Sequence, residues 1–336
     1  MIRYYVKRAL MGSALIVGIL MVTYLLVYIA PGDPAHVWAG KPRGPRATEA
    51  IELARKELGL DQPLHIQIAT FMARFLTGDW GVSIAFKQPI INVILKSFKA
   101  TAELLLFSYA IAIPLGLVLG IFMALRRGSK ADLLLKLTSS MFISIPRFWL
   151  ALIVVLVFYF IGFQSLGRLD PRYSLELREV TGFYLLDSLL ILRPDIFLDV
   201  LTRLIAPSLI IAVYPVFSIA KYVRYNLSER FYEDYVIEAV SLGISRGSVL
   251  ARYALRGIIP AVVQLAGINF VYSFVETTIV ELVFMREGVG RVLVEGMLRS
   301  DYPLIIATLF IVSLILLVVN TAADILQKRL DPRVTI

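Results

Sequence analysis

Six apolar runs, each about 20 residues long or longer, decide what this chain can become. They cover about 9–30, 100–125, 137–163, 202–222, 260–285 and 303–323. A bilayer core is crossed by about 20 consecutive apolar residues in a helix. The runs predict an all-α, polytopic membrane protein with six transmembrane helices. Composition agrees, with 58% hydrophobic residues against about 45–50% in soluble domains.

The first run, "ALMGSALIVGILMVTYLLVYIA", follows Arg3, Lys7 and Arg8. It is too long for the core of a signal peptide and ends in "PGDP" without a small-residue cleavage site. It reads as a retained helix. Pro114, Pro146, Pro207 and Pro215 interrupt the second, third and fourth runs. Such prolines persist in lipid where neighbours or water satisfy the freed carbonyls.

Charge gives the orientation. The formal net charge is +9, and the basic residues mostly flank apolar runs. They serve topology and anionic headgroups, so no nucleic acid is implied. A cytoplasmic N-terminus at 1–8 puts 125–136, about 221–258 and 324–336 inside as well. These hold Arg126, Arg127, Lys130 and Lys136, then Lys328, Arg329 and Arg333. Outside lie 31–99, 164–200 and 284–302, the last balancing Arg286, Arg291 and Arg299 against Glu287, Glu295 and Asp301. The topology expected is N-in, C-in.

Within 31–99, "TEAIELARKELGL" has acids early, bases late and a terminal glycine, the start and stop signals of a helix. "IQIATFMARFLTG" carries an apolar stripe at helical spacing, and "GDWGVS" reads as a turn. On the cytoplasmic side, "SERFYEDYVIEAVSL" is rich in helix formers, and Gly243 is placed as a stop. Ser245 can cap a second helix, "RGSVLARYALRG", with Val249, Leu250, Tyr253 and Ala254 on one face. Two readings fit this hairpin. It lies on the membrane as a basic amphipathic loop, or its apolar face docks a cytoplasmic partner.

Several chemistries are absent. There is no cysteine, so no disulfide, thiolate metal site or cysteine nucleophile. The two histidines, His36 and His65, share one polar stretch without an HExxH pattern. GxxxxGK[ST] does not occur, which argues against a P-loop ATPase. Ionisable groups inside spans cost about 2.5–3.5 kcal/mol on insertion scales. Arg147 follows Pro146 in the third run, facing a cavity or pairing with a carboxylate. Glu276 lies mid-way along the fifth. Asn269, Tyr272 and Ser273 precede it, forming either a pore wall or interhelical hydrogen bonds. Glu281, nearer the outside, is expected to snorkel to the surface.

The stretch Glu238–Pro260, "EAVSLGISRGSVLARYALRGIIP", resembles the EAA loop of importer-type ATP-binding-cassette permeases. The matching residues are Glu238, Ala239, Val240, Gly243, Ile258, Ile259 and Pro260, with Val240 where the family often has alanine. "PGDP", "LGLDQPL", "GDWGVS", "SIPRFWLAL", "TGFYLLDSLL", "REGVGRVLVEGMLRSDYPLI" and the closing "DPR" extend the resemblance along nearly the whole chain. The chain resembles the B-type permease subunit of dipeptide, oligopeptide and nickel importers.

That resemblance implies a type I importer architecture. It implies a permease core at 100–336, with a coupling loop at 226–260 that docks a nucleotide-hydrolysing subunit. Glu238, Ala239, Gly243 and Arg246 would stand at that interface, and Pro260 would start the fifth span. It also implies a second homologous permease, one or two cytoplasmic ATPases that bind ATP and magnesium, and an extracytoplasmic solute-binding protein. No cofactor is expected in this chain, and no catalysis. Arg147, Asn269, Tyr272, Ser273 and Glu276 would line the translocation path. The substrate would be a di- or oligopeptide, or else an oligosaccharide or nickel chelate. The rival of another class is a stand-alone carrier or channel, for which no inverted repeat is visible.

Overall fold

The computed structural model describes residues 12–14, 16–25, 34–40, 42–57 and 59–330. The expected cytoplasmic N-terminus 1–8, the "PGD" of the first motif and the closing "DPR" lie outside these residues. In chain order the helices are α1 (Gly12–Leu25), α2 (Pro34–Trp38), α3 (Ala47–Glu57), α4 (Leu64–Leu76), α5 (Ile90–Leu125), α6 (Lys130–Ser144) and α7 (Arg147–Phe160). After a short 3-10 turn at Pro171–Tyr173 come α8 (Tyr184–Leu190), α9 (Pro194–Arg230), α10 (Asp234–Ser241) and α11 (Arg246–Val249). The last three are α12 (Ile259–Val283), α13 (Val289–Arg299) and α14 (Tyr302–Leu330).

By length and composition α5, α9, α12 and α14 can each cross a membrane. The third apolar run is not one continuous helix. It is two helices, α6 and α7, bent by 98° at a short break. Proline explains the break. Pro146 disfavours helical geometry at the residue before it, and Ile145 is extended at φ −73° and ψ 125°. Pro114, Pro207 and Pro215 sit inside continuous helices instead. The described part of the first run, α1, is shorter than a full span.

The chain forms two compact units. One comprises 1–98 and 288–317; the other comprises 99–287 and 318–336. In the first, Leu20, Phe75, Ile90, Ile94, Leu304 and Ala307 are buried together, with Phe71, Trp80 and Phe310 packed against them. The Asp301 carboxylate is fully buried and accepts from Ser83 Oγ at 2.6 Å and Ala85 N at 2.9 Å. The two helices and the turn expected in 31–99 are present as α3, α4 and the Gly78–Gly81 region, where both glycines have positive φ.

In the second unit α9 packs against α6, α7, α8 and α12. Its contact with α5 depends on small residues. A Cβ added at Gly120 would lie 2.6 Å from Val223 Cβ and 2.8 Å from the Ala220 carbonyl oxygen. At Gly116 the nearest atoms, Ile219 Cβ and the Val216 carbonyl oxygen, would be 2.9 Å away. Glycines four apart let two helix backbones approach closely, which drives packing where lipid supplies no hydrophobic contrast. At one end of the bundle, Arg224 Nε and Nη2 donate to the two oxygens of the fully buried Asp132 at 2.6 and 2.8 Å. The Gly128 amide also donates to Asp132, at 3.0 Å.

Candidate functional site

Two regions of the second unit carry the residues singled out from the sequence. The first is the hairpin after α9. α10 ends where expected. The Ile244 amide donates to Ala239 O at 3.1 Å and the Gly243 amide to Val240 O at 3.0 Å, the paired bonds of a Schellman stop. Gly243 has φ +80°, which a residue with a Cβ adopts at a cost. Ser245 Oγ accepts from the Ser248 amide at 3.4 Å, and Ser245 O from the Val249 amide at 2.9 Å. The cap is therefore as expected, but the second helix is shorter. α11 is one turn and passes into a π-turn at Leu250–Ala254.

Burial redistributes the hairpin's expected roles. Val249 and Ala254 do not form an outward docking face. Val249 is 1% exposed in a cluster with Val236 and Ala239, flanked by Phe231 and Ile244. Ala254 is buried with Ile258, Val262, Ile219, Val223 and Leu227. Ala239 thus packs inside the hairpin, whereas Glu238 and Gly243 are exposed. The outward large side chains are Tyr232, Tyr235, Ile237, Val240 and Leu242, with Tyr253 from the expected face also exposed. Arg246 opens α11; its side chain lies outside the described part. Arg230 ties the base together, donating to Tyr235 Oη at 3.0 Å and Gly257 O at 3.1 Å. Pro260 is buried as the second residue of α12, where its missing N–H has no helical acceptor to lose.

The second region lies along α12. Arg147 Nε donates to Glu276 Oε2 at 3.0 Å, joining the first residue of α7 to the middle of α12. The Arg147 side chain is 7% exposed and Glu276 35%. The guanidinium also lies over the Tyr214 ring, 5.3 Å from its centroid. A buried cation needs such partners, a carboxylate and an aromatic face.

The expected polar stripe of α12 is split between two rows. Asn269, Ser273, Thr277 and Glu281, four residues apart in turn, are all buried. Ser273 meets Tyr109 Oη at 2.9 Å, and Thr101 Oγ1 donates to Glu281 Oε1 at 2.5 Å. Asn269 Nδ2 is buried without a partner among the described residues. Glu281 is 1% exposed, so it does not snorkel. Tyr272, 62% exposed, and Glu276 occupy the neighbouring row, and Val275 and Ile279, also exposed, the row beyond it. Residues at i and i+4 share a row, while i and i+3 diverge slightly, and this separates 269/273 from 272/276.

One charged cluster escaped the sequence reading. Glu103 on α5 is 4% exposed. Its carboxylate accepts from Arg168 Nη2 at 2.8 Å and the Leu185 amide at 2.8 Å, with Arg286 Nη2 at 3.8 Å. Arg168 stacks over Tyr184 at 3.7 Å. Burial, then the neighbouring Arg168, pushes the Arg286 guanidinium down to about 10, with Glu103 opposing them. Arg286 Nη1 also faces Arg203 O at 3.5 Å. Pro207, four residues on, has no N–H for that carbonyl. The proline was legible; its distant partner was not.

A family model described as "Binding-protein-dependent transport system inner membrane component" matches residues 116–336. A second, for the N-terminal part of such components, matches 1–106. The chain belongs to this family of transport-system membrane components. Relatives of this permease run its whole length. The probable D,D-dipeptide transport system permease protein DdpB of Escherichia coli K12 is 34% identical, covering 96% of this chain and 95% of that one. The di/tripeptide transport system permease protein DppB of Pseudomonas aeruginosa is 32% identical, covering 94% of each. Among solved structures, the methionine ABC transporter MetNI in inward-facing conformations aligns at TM-score 0.50 and 16% identity. That alignment covers 72% of this chain and 95% of the other. It shows a shared fold. The chain is therefore an integral membrane permease subunit of the binding-protein-dependent class.

Proposed function

We propose that this permease imports di- or oligopeptides as one of two homologous membrane subunits, with ATP and magnesium held by cytoplasmic ATPases. A solute-binding protein delivers the peptide to the outer segments 31–99, 164–200 and 284–302. The topology is six spans, N-in and C-in, with α6 and α7 together as the third. The observation that carries the coupling role is the hairpin itself. It is braced by its own core of Val236, Ala239 and Val249 and offers Ile237, Val240 and Leu242 outward. This favours a helix-in-groove contact with an ATPase over a loop lying on lipid. Glu238 and Gly243 stand on that surface, and Arg246 beside it.

The path runs beside α12. The Arg147–Glu276 contact uses one donor and one acceptor oxygen. The guanidinium's other N–H groups and Glu276 Oε1 remain to meet a peptide's carboxylate and ammonium ends. Tyr272 shares that row, while Asn269 and Ser273 support it from behind. The peptide reading also agrees with the names of the relatives.

The test is a gentle detergent pull-down of the tagged chain with mass spectrometry, with and without Gly243→Trp. A second permease and ATPases are expected, with the ATPases lost in the variant. A chain recovered alone and folded would overturn the reading. ATP-dependent uptake of a labelled dipeptide by the reconstituted complex tests the substrate, and uptake of an oligosaccharide or nickel chelate instead would overturn it.

A further inference from the structure

A cavity of about 760 Å³ opens in the first unit, within the range of small-ligand sites. Its floor is buried and apolar: Phe75 and Ile306 are each 4% exposed. Trp38, Phe71 and Trp80 contribute to its wall. Its rim is charged and exposed, with Glu57, Arg74, Asp79 and Lys87. Tyr24, from the first apolar run, and Ile306, from the sixth, also line it. The cavity therefore joins the outer parts of the first and sixth apolar runs to polar residues of the segment 31–99.

Two features of the rim point to a ligand. Its formal charges cancel, two cations against two carboxylates, which suits a zwitterion and disfavours a purely anionic head. Lys87 also adopts φ +53°, a left-handed conformation that side chains other than glycine or asparagine take at a cost. Neither Lys87 nor Asp79 has an ion-pair partner among the described residues.

We propose that this cavity holds one zwitterionic phospholipid of the phosphatidylethanolamine class. One of its two acyl chains lies on Phe75 and Ile306, and the other stays in the surrounding bilayer. The phosphate meets Arg74 and Lys87, and the ammonium meets Asp79, Glu57 and the indole faces. A dipeptide is zwitterionic too, but it brings no acyl chain to cover the apolar floor of Phe75 and Ile306. The assignment rests on the outward placement of 31–99 in the topology above.

The intact complex is stripped in detergent, offered phosphatidylethanolamine, phosphatidylglycerol or a dipeptide in separate arms, and examined by native mass spectrometry. Retention of one phosphatidylethanolamine is expected, about tenfold stronger than phosphatidylglycerol, the ratio of one lost ionic contact. The rim variant Asp79→Asn/Lys87→Gln should remove that preference, and the filling variant Thr70→Trp should abolish retention. Both alter exposed residues, and recovery of companion subunits confirms that they fold. Equal retention of the two lipids, or retention indifferent to both variants, would overturn the site. Retention of the dipeptide instead would overturn the lipid assignment. A cysteine at Thr70 labelled by an impermeant maleimide only from the cytoplasmic side would overturn the topology, an outcome separate from failure of the pocket.

Discussion

Arg147 and Glu276 are 129 residues apart in sequence, and one hydrogen bond of 3.0 Å joins them across α7 and α12. The bond falls beside the break at Pro146, where the 98° bend sets the first turn of α7 out of line with α6. The salt bridge thus anchors a helix start that the helix before it does not continue into.

Removing one partner strands the other. Glu276→Gln should cost about 1–3 kcal/mol of stability, less than the 3–5 kcal/mol of a fully dry pair because Glu276 is partly exposed. It should also raise the KM for dipeptide. The swap Arg147→Glu/Glu276→Arg should recover stability without recovering transport. A double-mutant cycle on thermal unfolding in detergent, run beside uptake, checks both. Additive effects in the cycle would show that the two residues do not interact.

Gly120→Leu should be severely destabilising. Its Cβ alone would stand 2.8 Å from a backbone oxygen of α9, which has no rotamer in which to retreat. Overpacking costs about 1–3 kcal/mol where neighbours can adjust, and more where they cannot. Size-exclusion profiles of the detergent-purified chain, before and after heating, should show an early loss of the monodisperse peak. Gly18→Leu is the control, because a Cβ there meets nothing within 4 Å.

Asp132→Ala should cost about 1–3 kcal/mol, less than a fully dry pair because the Arg224 side chain is 18% exposed. Asp132→Ala/Arg224→Met should restore much of it, because a packed apolar pair can replace a buried ionic one. Thermal midpoints of the three proteins decide the matter.

The segment 164–200 should resist acid down to about pH 4. Hydrogen bonds from Arg172, aided by the charge of Arg203, lower the Asp170 carboxyl to about 2. A depressed carboxylate contributes stability that is full above its unfolded value, about 3.9, and is lost as pH falls through the folded one. Proteolysis within 164–180 should therefore stay flat from pH 7 to about pH 4 and quicken below. Asp170→Asn should be cleaved faster at pH 7 and show less change on acidification.

The sequence revealed elements better than partnerships. The apolar runs located the long helices, and Gly243 and Ser245 marked the turn of the hairpin, because these signals are local. The break at Pro146 was marked as a proline but not as a bend of 98°, since Pro207 and Pro215 carry the same signal inside a straight-through helix. Glu103, Arg168 and Arg286 meet from three distant segments, and no periodicity encodes that. Glu281 looked like a surface residue from its position near a span end; Thr101, 180 residues away, makes it an interior one. The repeat Gly116–Gly120 was legible in principle, as two small residues one turn apart.

The hairpin shares its buried residues between two assemblies. Val249 belongs to the knob, while Ala254, five residues later, belongs to the bundle with Val223 and Val262. The link between them is the π-turn Leu250–Ala254, which carries an extra residue per turn. In the coupling role proposed above, the loop would act as a crank with this turn as its elbow. Displacement at the tip would then reach α9 and α12 together through the turn. Stiffening those five residues would therefore change how much of each stroke arrives, even with every docking contact intact.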